Sequence, residues 1–188
     1  MNHRIIQLAS VMLALLIAGA AAFAEDLPLL AGEDRRVAAT VSAAEGLMLA
    51  PEMAVAGDTP EYYFIPEDGA GPLRFVYYTT GSGDPMALAK AALGSYATLY
   101  DSFSAGGIRE DPVAGRTCLH FDYACSYPDR SGARQIHEQT AVAYLPLSGD
   151  QFVACIVSLA FDDPDARWTT EALDNRLMSA LERVRMAD

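Results

Sequence analysis

The chain is 188 residues long and 52% apolar, with 13 Lys plus Arg set against 25 Asp plus Glu. Its length suits one domain with an appendage, and its apolar content excludes global disorder. A net charge of −12 with Lys90 as the single lysine excludes nucleic acid, which clustered cations recognise through phosphate.

Residues 1–24 read as a secretory signal peptide. His3 and Arg4 form a short polar, positive region, Ile5 to Ile17 is almost unbroken apolar chain, and Ala22-Phe23-Ala24 is a small-x-small cleavage site. The apolar run is shorter than the ~20 residues needed to span a bilayer, and no positive flank follows it. The mature protein is therefore expected outside the cytoplasm, in the periplasm or the medium. No membrane anchor is expected after cleavage.

Residues 25–36, acidic and mixed, read as a flexible lead-in to a single α+β domain over 37–188. Val37–Val41 and Leu47–Leu49 carry weak strand character. Glu61–Ile65 and Leu73–Thr80 are denser strands, joined by the Gly-containing loop 67–72 into a hairpin. Asp84 can cap a helix with Pro85 in its first turn. Met86, Ala89, Leu93, Tyr96, Tyr100 and Phe103 then recur at helical spacing as far as Gly106-Gly107.

Three strands follow. Over Gly115–Tyr127, Leu119, Phe121, Tyr123, Cys125 and Tyr127 share one face, and Arg116, Cys118, His120, Asp122 and Ser126 share the other. Gln135–Leu145 returns the chain. Phe152–Phe161 is apolar on both faces, as a strand covered from both sides must be. Thr169–Met186 reads as a closing amphipathic helix, with Leu173, Leu177, Leu181 and Val184 on one stripe and Arg183 and Arg185 in the last turn. This order implies an α+β fold: a single-domain, three-layer α/β/α sandwich around a mostly antiparallel sheet.

The element order resembles the PsbP-like domains, including the DcrB-type proteins of bacterial envelopes. The landmarks are Gly46-Leu47-x-Leu49-x-Pro51, the hairpin, Gly106-Gly107 after the first helix, and the final helix. The resemblance implies an exported α/β/α sandwich with a non-catalytic accessory role, and it transfers no functional residue.

Chemistry-bearing residues are few. Cys118 and Cys125 fall on opposite faces of one strand, about 23 Å apart. Cys118 and Cys155 lie on strands separated by a third, about 9.6 Å apart, beyond the ~7 Å reach of a disulfide. Buried free thiols are expected. Cys118, His120 and Asp122 share a strand face with about 6.6 Å between successive side-chain bases. Thiol, imidazole and carboxylate could ligate a metal or form a thiol-based catalytic group. His137 pairs near Cys125 or Ser126, too far from His120 to share an ion. His137-Glu138 lacks the second histidine of a zinc protease helix, and Gly81-Ser82-Gly83 lacks the rest of a phosphate-binding fingerprint. The Asp162-Asp163-Pro164-Asp165 run lacks the glycine and distal Glu of an EF-hand loop.

Aromatic residues concentrate on the hairpin, at Tyr62, Tyr63, Phe64, Phe75, Tyr77 and Tyr78. Alternation sends one row to the core and the other outward, so Tyr63 and Tyr78 are the candidate ligand-binding residues. The expected function is an exported, non-enzymatic binding or accessory domain, with no cofactor and with an envelope protein or small ligand as partner. The alternative is a metal-binding protein or a metal- or thiol-dependent enzyme centred on Cys118, His120 and Asp122.

Overall fold

A computed structural model describes residues 26–31, 35–42, 46–50, 60–67, 73–81, 83–113, 115–147, 150–163, 165 and 167–187. The expected signal peptide, 1–24, lies outside the described residues. In chain order the elements are β1 (Leu27–Ala31), β2 (Arg36–Val41), β3 (Leu47–Leu49), β4 (Tyr62–Pro66), β5 (Leu73–Thr80), α1 (Pro85–Leu99), β6 (Ser102–Ala105), β7 (Arg109–Val113), β8 (Arg116–Pro128), β9 (Gln135–Pro146), β10 (Phe152–Phe161), α2 (Thr170–Leu181) and β11 (Val184–Met186).

The strands form two sheets. The larger runs β3-β4-β5-β10-β9-β8-β6, with β7 also paired to β8, so β6 and β7 share the outer edge of β8. The smaller runs β1-β2-β11. Every pairing is antiparallel.

Alternation along the central strands divides the interior in two. Val153, Cys155 and Val157 of β10, with Ala141, Ala143 and Leu145 of β9, face a core shared with the small sheet and α2. Phe152 and Ala154, with Val142 and Tyr144, face a second core beneath α1. The two-sided apolar reading of Phe152–Phe161 corresponds to this double burial.

The expected three-layer α/β/α sandwich is corrected by the small sheet. One face of the large sheet is covered by strands β1, β2 and β11 together with α2, and only the other carries a helix alone. Two stretches account for the difference. Leu27–Ala31, read as flexible lead-in, is a strand with Leu29 and Ala31 buried. Its own signal is faint, because Pro28 interrupts it; tertiary pairing with β2 stabilises it.

At the other end, α2 stops at Leu181 rather than running to Met186, and Val184–Met186 pairs with β2. Val184 satisfies the helical stripe of Leu177 and Leu181 and also a strand, where its β-branch is at home. Arg183 and Arg185 therefore lie beyond the helix and do not serve its dipole.

Helix α1 begins as expected, with Asp84 accepting from the Met86 N–H at 2.9 Å and Pro85 in the first turn. It ends at Leu99, before the Gly106-Gly107 pair, and Ser102–Ala105 forms β6. Phe103 still joins the aromatic group beneath α1, but from a strand. Strand β7, containing Pro112, is an edge element with little sequence signal.

Candidate functional site

The shared strand face of Cys118, His120 and Asp122 exists on β8, but its three side chains are engaged separately. Cys118 is fully buried in the core shared with α2, and burial, reinforced by the Asp111 carboxylate, pushes its thiol up to about 12. His120 is 2% exposed and places Nε2 2.5 Å from Asp111 Oδ2. Its Nδ1 is buried with no hydrogen-bond partner among the described residues.

Asp122 accepts from Arg109 Nη2 at 2.9 Å. The same guanidinium grips Asp174 of α2 with two bonds of 2.8 and 2.9 Å. Strand β7 supplies both new partners, because its register sets Arg109 opposite His120 and Asp111 opposite Cys118. A charged partner strand was not legible in the sequence, since Arg109-Glu110-Asp111-Pro112 carries no apolar alternation.

No group of three His, Cys, Asp or Glu side chains among the described residues is placed to hold a metal. The Cys118/His120/Asp122 constellation is thus taken up in packing and ion pairs, and the metal or thiol reading gains no geometry. His137 pairs with Ser126, six positions along β8 from His120, and stacks on Phe161.

The cysteines are free. Cys118 and Cys155 lie in one core and Cys125 in the other. Burial raises all three thiols, Cys125 to about 12.

The hairpin tyrosines divide by face as alternation requires. Tyr62 and Tyr77 are cross-strand partners on the side of the small sheet. The Tyr62 hydroxyl donates to the Pro28 carbonyl at 2.8 Å, and the buried Tyr77 hydroxyl donates to the Ala180 carbonyl at 3.0 Å. This row is structural, tying the hairpin to β1 and α2.

Tyr63 and Tyr78 turn to the α1 side. The Tyr63 hydroxyl donates to Glu61 at 2.8 Å, and desolvation followed by that carboxylate raises it to about 12. Tyr78 is half-buried; burial raises its hydroxyl most, then the proximity of Tyr144, Tyr96, Glu61 and Tyr63. These groups converge on one region of the sheet face.

The tyrosines continue beneath α1. Tyr96 lies 4.9 Å from Tyr123, Tyr100 lies 5.7 Å from Tyr127, and Phe103 lies 5.5 Å from Tyr123, measured between ring centroids. At the far end Tyr127 donates to Glu138 at 2.9 Å. An aromatic strip with polar hydroxyls thus crosses this face from Glu61 to Glu138. Helix α1 packs mainly on β6 and β8, which leaves the Tyr63–Tyr78 end beside the helix. The sequence signals were the Tyr96/Tyr100 step on one helical face and Tyr123/Tyr127 on one strand face, both read there only as packing.

No family model matches the chain, and no curated protein is significantly similar to it. The PsbP-like resemblance therefore has no family match behind it. Two of its landmarks also change, since Gly106-Gly107 follow a strand and the chain closes on β11. Among solved structures, the chain is similar to LpqN of Mycobacterium tuberculosis, a protein described as involved in cell envelope biogenesis. The TM-score is 0.50 at 17% identity, over 87% of this chain and 91% of LpqN. At that identity the likeness is one of fold.

Proposed function

We propose that this chain is an exported cell-envelope protein that acts by binding, and that Tyr63 and Tyr78 form its contact surface. The observation that carries this reading is the tyrosine strip on the α1 side of the large sheet, half-buried where it leaves the cover of the helix. Tyrosine suits such a surface: its ring buries apolar area while its hydroxyl keeps a hydrogen bond, at small entropic cost. The signal-peptide features of residues 1–24 and the fold likeness to LpqN both favour the envelope as the place of work.

Burial holds the three thiols protonated and so poor nucleophiles, which counts against the thiol-based alternative. Among the described residues no helix is long and apolar enough to cross a membrane. The ligand class that fits is amphipathic, either an envelope protein segment or a small molecule with an apolar body and a polar group.

The test has two arms. Cell fractionation should recover the protein from the envelope or medium, shortened at Ala24. Cross-linking to envelope extracts should then yield adducts that Tyr63→Ala and Tyr78→Ala remove while the fold, followed by circular dichroism, is kept. Cytoplasmic recovery would defeat the localisation, and an unchanged adduct pattern would defeat the surface.

A further inference from the structure

We propose that the free edge of β6 pairs antiparallel with β6 of a second copy of this chain, extending the large sheet across a two-fold axis near Ser104. Strand β6 ends the ordered path of the large sheet, so among the described residues its outer edge is unpartnered. Natural sheet edges are guarded by charge, proline or a covering element. The same edge shows both conditions: β7 carries Arg109, Glu110, Asp111 and Pro112, whereas β6 is Ser102-Phe103-Ser104-Ala105, with neither charge nor proline. Ser102, Ser104 and Ala105 are exposed.

Charge selects the occupant. Between Pro85 and Ile108 the only charged residues are Lys90 and Asp101, so this segment is neutral and the whole net charge of −12 lies elsewhere. Two copies meeting through this segment bring no net charge together. Helix α1 lies against β6 at this edge, and its outward residues include Ala87, Ala91, Gly94 and Ser95. A closed two-fold interface is also the commonest way for a chain to self-associate.

The ladder fixes the register. The Gly106 N–H donates to the Asp122 carbonyl at 2.8 Å, so by alternation Ser104 faces β8 and Phe103 and Ala105 present their N–H and C=O outward. Centring on Ser104 pairs Phe103 with Ala105 of the second copy, twice. Ser104 then opposes itself in a non-hydrogen-bonded pair with Cα atoms about 4.5 Å apart, within disulfide range.

Light scattering on the exported protein should give the mass of two chains. Ala105→Pro removes an outward N–H and leaves the β8 ladder intact, so the mass should fall to one chain with an unchanged circular dichroism spectrum. Oxidised Ser104→Cys should run as a covalent dimer without reductant, a readout independent of whether Ala105→Pro folds. A single-chain mass for the parent at every concentration overturns the proposal. So does a dimer that survives in folded Ala105→Pro, or a Ser104→Cys protein that stays uncross-linked.

Discussion

Arg109 joins an edge strand, the central part of the large sheet and a helix through one guanidinium, and replacing it should unbalance all three. Arg109→Met keeps the apolar stem and removes the charge. In the native protein Nη2 sits 2.9 Å from one oxygen of Asp122 and 2.9 Å from one oxygen of Asp174, so those oxygens are at most about 5.8 Å apart. Two uncompensated carboxylates at that separation repel by about 3 kcal/mol at an effective dielectric of about 20, and by under about 1 kcal/mol in bulk water.

The carboxylate side chains are 19% and 21% exposed and the arginine 39%, which places the cluster between surface and interior. Adding the lost charge-assisted bonds, Arg109→Met should cost about 2–4 kcal/mol. Asp174→Asn leaves the arginine paired with Asp122 and should cost about 1 kcal/mol. Urea denaturation of the two single variants and the double variant gives the coupling energy directly. In 1 M salt, where the screening length is about 3 Å, Arg109→Met should regain part of its loss. A cost for Arg109→Met no larger than that of Asp174→Asn, or a coupling energy near zero, would refute this account.

Two further outcomes follow from the same geometry. A Cβ at Gly106 would stand 2.5 Å from Asp122 Oδ1, a carboxylate that Arg109 holds in place, so Gly106→Ala should cost about 1–3 kcal/mol and cost less in the Arg109→Met background, where Asp122 can move; equal costs in both backgrounds would show that the clamp does not fix Asp122. The thiols of Cys118 and Cys125, raised to about 12 by burial, and the fully buried Cys155 should not react with a thiol reagent at pH 8 until the protein is unfolded in urea; labelling of the native protein would contradict the packing.

The central strands were legible because their signal is local. Leu119, Phe121, Tyr123 and Cys125 alternate with Cys118, His120 and Asp122, and the structure divides the two rows between its two cores or, for His120 and Asp122, ion pairs on the Cys118 face. The same alternation separates Tyr62 and Tyr77 from Tyr63 and Tyr78. The small sheet was not legible, because β1 and β11 are short strands whose stability comes from β2 and from the Tyr62 hydroxyl at Pro28. Phe103 and Val184 mark the two places where helix and strand spacing coincide, and tertiary pairing decided for strand in both. At the Cys118, His120 and Asp122 face, spacing showed which side chains point together but not what opposes them. Asp111 and Arg109 arrive from β7, whose charges and proline give it no periodic signature.

The small sheet places β2 between β1, the first described strand, and β11, the last. The edge of β2 that takes β11 has no partner in this sheet until Val184–Met186 have left the ribosome, and Leu181 and Val184 cannot complete the core before then. Closing so long a loop is entropically the last step of assembly. A chain built this way stays incompletely packed throughout its synthesis, and its core closes only once β11 has arrived beside β2.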